Sequence, residues 1–402
     1  MNQLSQMLLA LLRAGIRDSA PEALPELPPD RWQELLSLAR AHKVLPLIFE
    51  PALPLLRDAD PALAASVKGQ VRQQVIAQTL RTGEFLELYR ALEAEGAAPV
   101  VVKGIVCRSL YPRPDHRPSA DEDLWISPEQ LPLCHAVMTR LGMTTDEPDP
   151  ENAWEIPYRR PGSPLYIELH KQLFSPGFRT GDSDFNDYFG TPGDHGTIQE
   201  LPGGGVRTMH PTDHMTYLLF HAFKHFLHSG FGIRQICDIL LFAHRHGEFI
   251  DWERVQLSCR SVRAEKFAAA VFAVGVKHLG FSPIGPWPEV DEMPLLEDVL
   301  RAGVYGSAQL SRLHSSTITL EAAAGQKSTR SGVLAAAFPA AKKLEGRYPW
   351  LKDRPYLLPA AWGSRIAAYL RETRKAPDSS LRDALKIGTE RLALLKQYDI
   401  LK

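Results

Sequence analysis

The run Asp121-Glu122-Asp123-Leu124-Trp125-Ile126 predicts a strand with two aspartates two residues apart, and Leu165 to His170 predicts another, carrying Glu168. Side chains two apart on a strand share a face at a separation of about 7 Å. Asp121 and Asp123 therefore point the same way, and Glu122 points to the opposite side. Carboxylates 4 Å apart repel by up to ~4 kcal/mol at an effective dielectric of about 20. A pocket that gathers Asp121, Asp123 and Glu168 needs a cation, and Mg²⁺ (or Mn²⁺) suits an oxygen-rich site shared with phosphate. Two such ions could clamp the attacking and leaving oxygens of a phosphoryl group. Acidic residues at strand ends also occur in plain solvated loops, so the surroundings carry the weight. Lys103-Gly104 closes the β-branched run Ala98 to Val102 and opens a short helix to Leu110. The first N–H groups of that helix and the Lys103 ammonium would suit an anion.

Neighbouring residues extend the pocket. Arg117, four residues before Asp121, would reach a γ-phosphate or a leaving pyrophosphate, or else pair with Asp115. Ser119 could donate to a phosphate oxygen. His170 shares the face of Glu168 and would orient a carboxylate. A second cluster comprises His210, His214, His221, His225 and His228. His214, His221, His225 and His228 fall at i, i+7, i+11 and i+14, one face of a helix. His221 and His225 have the spacing of a metal-hydrolase pair, but the Glu of an HExxH motif is absent. Contact with nucleotide or acceptor, or a hydrogen-bonded interface, is the alternative for that stripe, with Asp238 as partner of one imidazole. Pro202-Gly203-Gly204-Gly205-Val206 lacks the Lys-Ser/Thr of a phosphate-binding P-loop and reads as a flexible turn. No G-x-S-x-G elbow or GxGxxG is present.

The run Val102-Lys103-Gly104, the loop from Tyr111-Pro112 to Arg117-Pro118 and Asp121-Glu122-Asp123-Leu124 resemble the core of uncharacterised bacterial nucleotidyltransferases of the DNA polymerase β-like superfamily. The likeness continues in Ile167-Glu168-Leu169-His170, in His210-Pro211-Thr212-Asp213-His214 with His221 and His225, in Arg234 to Asp238, in Tyr348-Pro349 and in Leu357-Leu358-Pro359 with Trp362. The resemblance implies a mixed sheet flanked by helices and transfer of a nucleoside monophosphate from an NTP such as ATP to an acceptor. It implies Asp121, Asp123 and Glu168 as catalytic, metal-binding carboxylates. Lys103, Gly104, Arg117, Ser119, His170, His221 and His225 would then face the nucleotide. Three departures stand out: Lys103-Gly104 where the superfamily usually has Gly-Gly or Gly-Ser, the charged Glu122 between the aspartates, and a Glu rather than Asp as third acid.

The elements that must position these residues follow an α+β order, a small mixed-sheet core with flanking helices embedded between N- and C-terminal helical regions. Residues 1–95 read as helical, with Pro28-Pro29-Asp30 as a start signal and a long helix from about Ala62 to Glu95. The core spans 96–208; Ser127-Pro128-Glu129 starts a helix to about Leu141, and Pro161-Gly162-Ser163 joins strands Ala153–Arg159 and Leu165–His170 as a hairpin. Helices are expected over Asp213–His228, Ile233–His246, Asp251–Arg260 and Val262–Leu279 within 209–300. The region 301–402 should hold two basic amphipathic helices, Pro359–Arg374 and Ser379–Gln397.

The composition, 44% hydrophobic and 23% charged over 402 residues, excludes a disordered or collagen-like chain. No run of 18 apolar residues or secretory leader is legible, and Cys107, Cys134, Cys237 and Cys259 are too sparse for a disulfide scaffold; a reduced, cytoplasmic protein is expected. The net charge of −1 conceals 18 basic against 8 acidic residues from Arg301 to Lys402. That region, including Lys342, Lys343, Arg371, Arg374 and Lys375, would meet either a polyanionic acceptor or the acidic remainder of the chain. The acceptor itself, whether small molecule, peptide, protein or RNA, is left open. Two rivals stand beside the enzyme: a catalytically degenerate nucleotide-binding or scaffold protein of the same fold, and a metal hydrolase built on the histidine stripe.

Overall fold

The computed structural model describes residues 1–302 apart from 23, 195 and 229, residues 348–364 apart from 352 and 353, and residues 390–401. Four helices precede the sheet: α1 (Gln3–Arg17), α2 (Trp32–Ala41), α3 (Leu45–Ala59) and α4 (Pro61–Ala94). Side chains cap the starts of α1 and α4. Asn2 accepts from the Ser5 N–H, and Asp60 accepts from the Leu63 N–H with Pro61 in the first turn of α4. Gly96, at φ +86°, lets the chain turn away after α4 and enter β1 (Val100–Val101).

The core elements follow as α5 (Gly104–Arg108), β2 (Glu122–Trp125), α6 (Leu131–Arg140), β3 (Glu155–Arg159), β4 (Tyr166–His170), the small pair β5 (Arg179–Thr180) and β6 (Ser183–Asp184), β7 (Thr197–Gln199) and β8 (Val206–Thr208). The sheet order is β3-β4-β2-β1-β8-β7. β2 runs antiparallel to β1 and parallel to β4, so the sheet is mixed, as expected. The β2–β4 register sets Asp123 opposite Glu168 and Trp125 opposite His170. The β3–β4 hairpin turns at Gly162, φ +78°. The glycine-rich run 202–205, expected as a turn, is the turn that links β7 to β8, with Gly203 and Gly204 at φ +101° and +129°. That hairpin had no strand signal in the sequence, because its strands are three residues long and gain their order from pairing with β1.

Five helices complete the described residues up to 302: α7 (Pro211–Leu227), α8 (Ile233–His246), α9 (Trp252–Ser261), α10 (Glu265–His278) and α11 (Met293–Ala302). The expected helix Val262–Leu279 starts later because Arg263, at φ +59°, breaks it from α9. α7 is buried on nearly every side and is fastened to the sheet by His214, whose Nε2 donates to the Val102 carbonyl while its Nδ1 lies 3.2 Å from the Thr208 hydroxyl. Burial lowers that imidazole to about 4, so it is neutral and structural. One continuous apolar core runs from Leu4 to Leu300 and takes in Leu392, Leu395, Tyr398 and Ile400. Arg391 donates to the Phe226 and His228 carbonyls at the C-terminal end of α7, where the helix itself offers them no partner. Most of the basic region, including Lys342, Lys343, Arg371, Arg374 and Lys375, lies outside the described residues. Among the described residues no helix is long and apolar enough to cross a membrane.

The turn at Lys103-Gly104 is fixed from beneath. Glu122 is fully buried; its Oε2 accepts from the Ile105 N–H at 2.7 Å and its Oε1 is paired with Arg108 at 2.8 Å. Gly104 sits at φ +47°, and a Cβ there would fall 1.9 Å from Glu122 Oε2. Gly104→Ala is therefore expected to destabilise by about 2–4 kcal/mol, overpacking plus a strained backbone. Gly96→Ala, where a Cβ meets nothing within 4 Å, should cost only about 1–2 kcal/mol. Urea unfolding of the two variants checks the difference, and equal losses would contradict the Glu122 contact.

Candidate functional site

Parallel pairing of β2 with β4 brings Asp123 and Glu168 side by side, and His170 follows two residues later on the same strand face. Donor atoms of Asp123, Glu168 and His170 lie within 4.8 Å of one another. Asp123 Oδ1 accepts from Lys103 Nζ at 2.9 Å and from His170 Nε2 at 3.1 Å, whereas Oδ2 is buried without a hydrogen-bond partner. Asp121 precedes β2 rather than lying within it, and is 27% exposed. Its carboxylate meets Lys103 Nζ at 3.8 Å, so both aspartates do face one side, with the ammonium close to each. The expected metal trio Asp121, Asp123 and Glu168 is thereby altered: His170 stands in the close group where Asp121 was expected, and Lys103 lies beside Asp121.

Electrostatics divide the acids. Burial would raise the Asp123 carboxyl, but the Lys103 ammonium and the His170 hydrogen bond outweigh it and hold the group well below the usual carboxylate range. Glu168 lacks such close partners; burial and then the Asp123 charge push it up to about 8. On the other side of Lys103, His221 Nε2 lies 3.3 Å from Nζ and 3.2 Å from His225 Nε2. Burial and then Lys103 drive His221 well below the usual histidine range, and burial with Lys224 does the same to His225. Lys103 therefore donates to a neutral His221 ring through its Nε2, and His225 Nε2 sits beside that same atom. The histidine stripe is thus divided between structure, at His214, and the Lys103 surroundings, at His221 and His225.

Several expectations are corrected. The Ile105 N–H, at the turn expected to hold an external anion, already donates to Glu122. Ser119, expected to meet phosphate, is buried with its Oγ accepting from Arg108 at 2.8 Å. Arg117 pairs with Asp238 rather than with Asp115: its Nε and Nη2 donate to the two oxygens of Asp238 at 3.1 and 2.6 Å. Asp238 also accepts from the Tyr111 hydroxyl at 2.7 Å, so it is not the partner of an imidazole. Asp115 instead accepts from Thr79 at 2.6 Å.

The structure also adds residues. Lys43, held at φ +52°, shares the neighbourhood of Asp121 with Arg81 and Arg234; burial and then Arg234 lower its ammonium. Arg234 and Gln235, in the first turn of α8, line a narrow cavity with Lys103, Gly104, Arg117 and Asp121. Arg234 lay within a stretch carrying the family likeness, whereas Lys43 and Arg81 belong to N-terminal helices with no local signal of a site.

The Asp123, Glu168 and His170 donor set, with its orphaned Asp123 oxygen, fits a small divalent cation that can be shared with phosphate oxygens. A family model described as an uncharacterised nucleotidyltransferase matches residues 28–280. No curated protein and no solved structure matches the chain.

Two outcomes are expected. Glu168 must lose a proton to bind a cation, so Mn²⁺ affinity should rise with pH towards about 8, by up to tenfold per unit. For the metal-free protein the sign is opposite: the folded state keeps a proton that the unfolded chain has lost, so stability is full below about 4.5 and falls as pH rises through about 8. Calorimetry and thermal melts across pH 5–9 read both, and pH-independent Mn²⁺ affinity would contradict the assignment. Lys103→Met should destabilise the metal-free protein by about 3–5 kcal/mol, through uncompensated buried carboxylates. Added Mn²⁺ should raise its melting temperature more than that of the wild type.

Proposed function

The chain belongs to the family of uncharacterised nucleotidyltransferases, and from that premise we propose that it is a metal-dependent enzyme that moves a nucleoside monophosphate from an NTP to an acceptor hydroxyl. The observation that carries this reading is the buried, unpartnered Asp123 oxygen beside Glu168 and His170 on paired strands. The motif likeness to the DNA polymerase β-like superfamily supports it further. Asp123 and Glu168, with Asp121 at the open side, would hold Mg²⁺ or Mn²⁺. When bound, such an ion supplies charge stabilisation at the phosphoryl oxygens and positions them for displacement.

The chain's own residues account for the remainder. His170 donates to Asp123 Oδ1 and so leaves the other, buried oxygen free for a ligand. The acceptor oxygen bonds to the α-phosphorus as the bond to pyrophosphate breaks, and pyrophosphate leaves with that electron pair. The acceptor proton passes to Glu168, which can take it only after giving up the proton that it holds in the metal-free protein. Lys103 adds positive charge beside the aspartates. His221 and His225 are neutral and would contact nucleotide or acceptor only as hydrogen-bonding groups.

A second reading is favoured by one feature. Lys103 already neutralises the aspartates and Glu122 already fills the turn amide, as in a fold kept for binding alone. The test is incubation with each α-labelled NTP, Mg²⁺ or Mn²⁺ and fractionated lysate, in parallel with calorimetry. The enzyme reading expects label in an acceptor, lowered at least about 100-fold by Asp123→Asn and by Glu168→Gln. NTP binding that Asp123→Asn weakens, without transfer to small molecule, protein or RNA, would establish the binding protein instead. Equal NTP binding by wild type, Asp121→Asn and Asp123→Asn would remove both.

A further inference from the structure

Two residues that line the cavity beside Asp121 carry buried donors that no protein acceptor meets. Arg234 is 6% exposed and Gln235 8% exposed, and Arg234 Nε and Gln235 Nε2 are buried without hydrogen-bond partners. Each residue is anchored through another atom. An Arg234 terminal nitrogen donates to the Pro118 carbonyl, and Gln235 Oε1 accepts from the Gly232 N–H at 2.8 Å. Leaving a buried donor unpaired costs about 1–3 kcal/mol, so two in one place point to an acceptor that arrives with a ligand.

That ligand is an anion. Arg234 and Gln235 are in the first turn of the 14-residue helix α8, the positive end of its macrodipole. Lys103 and Arg117 line the same space. Asp238 is committed to Arg117 and Tyr111, which leaves Asp121 as the acid facing the cavity. A divalent cation carried by the ligand would offset Asp121. Lys43 and Arg81 add positive charge in the same neighbourhood.

Size narrows the class. The cavity, about 30 Å³, has room for roughly two waters, so it admits phosphoryl oxygens that reach in from its mouth but not a whole pyrophosphate, a sugar or a base. The Lys103-Gly104 turn offers no substitute at the Ile105 N–H, because Glu122 occupies it. Resting on the nucleotidyltransferase reading, we propose that Arg234 and Gln235 at the start of α8, together with Lys103, hold the pyrophosphoryl group of the NTP substrate.

The test is calorimetry of inorganic pyrophosphate, of each NTP and of the matching nucleoside monophosphates, with Mg²⁺ present, alongside circular dichroism and melting. Arg234→Gln should weaken pyrophosphate and NTP about 10- to 100-fold and leave the monophosphates unchanged. Arg234→Lys should restore part of the loss. Gln235→Glu keeps an oxygen for the Gly232 N–H but replaces the unpaired donor with a carboxylate, and should produce the same selective loss should Arg234→Gln fail to fold. Wild-type protein that binds no pyrophosphate, or folded Arg234→Gln and Gln235→Glu proteins that bind it normally, would overturn the proposal. Pyrophosphate binding lost in these variants, in a protein that transfers no label, would leave the anion site standing and remove the transferase reading. NTP binding sensitive to Asp123→Asn but not to Arg234→Gln or Gln235→Glu would do the reverse.

Discussion

Carboxylates cannot be drawn into a closed pocket unless positive charge comes with them, and in this fold Lys103 supplies it. Its ammonium lies 2.9 Å from Asp123 and 3.8 Å from Asp121, at the end of the strand that pairs with theirs. At an effective dielectric of about 20, contacts of this length are worth several kcal/mol each before desolvation. That attraction is what lets Asp123 stay ionised at 1% exposure. Glu168 is farther from relief and holds its proton, so one acid is ready to coordinate and the other is ready to exchange a proton. The histidines respond to the same charge: His221 and His225 are kept neutral partly because Lys103 and Lys224 are close.

The opposite side of β2 carries a second, closed charge cluster. Glu122 binds Arg108 and the Ile105 N–H, Arg108 reaches Ser119, and Ser119 is held by Gln78 of α4. This network ties the long N-terminal helix, the Lys103-Gly104 turn and β2 into one piece. Its effect is positional: it fixes where Lys103 and Asp123 emerge on the other face. Buried ion pairs of this kind contribute little net stability but penalise alternatives strongly, since a shift leaves a charge unpaired.

Much of this was legible in the sequence. Period-two alternation put Asp121 and Asp123 on one side and Glu122 on the other, and placed His170 on the face of Glu168. Helical period and the stop at Gly96 marked the long helix to within one residue at each end, and the structure adds Asp60 as its cap. The β7–β8 hairpin was not legible, since three-residue strands carry no period of their own. Nor were the partners of Arg117 and Ser119, because local spacing favoured Asp115 and a phosphate while the fold offered Asp238 and Arg108.

The sequence by itself determined which residues could share a face and which turns the backbone could make, since both follow from local geometry. Tertiary structure decided which of those residues are neighbours. The β2–β4 register set Asp123 against Glu168, and the approach of α7 and α8 put His221, Arg234 and Gln235 around Lys103. Charge and burial, and with them protonation, depend on distances between segments far apart in the chain. Those distances are set by how the apolar faces pack, and no local pattern encodes them.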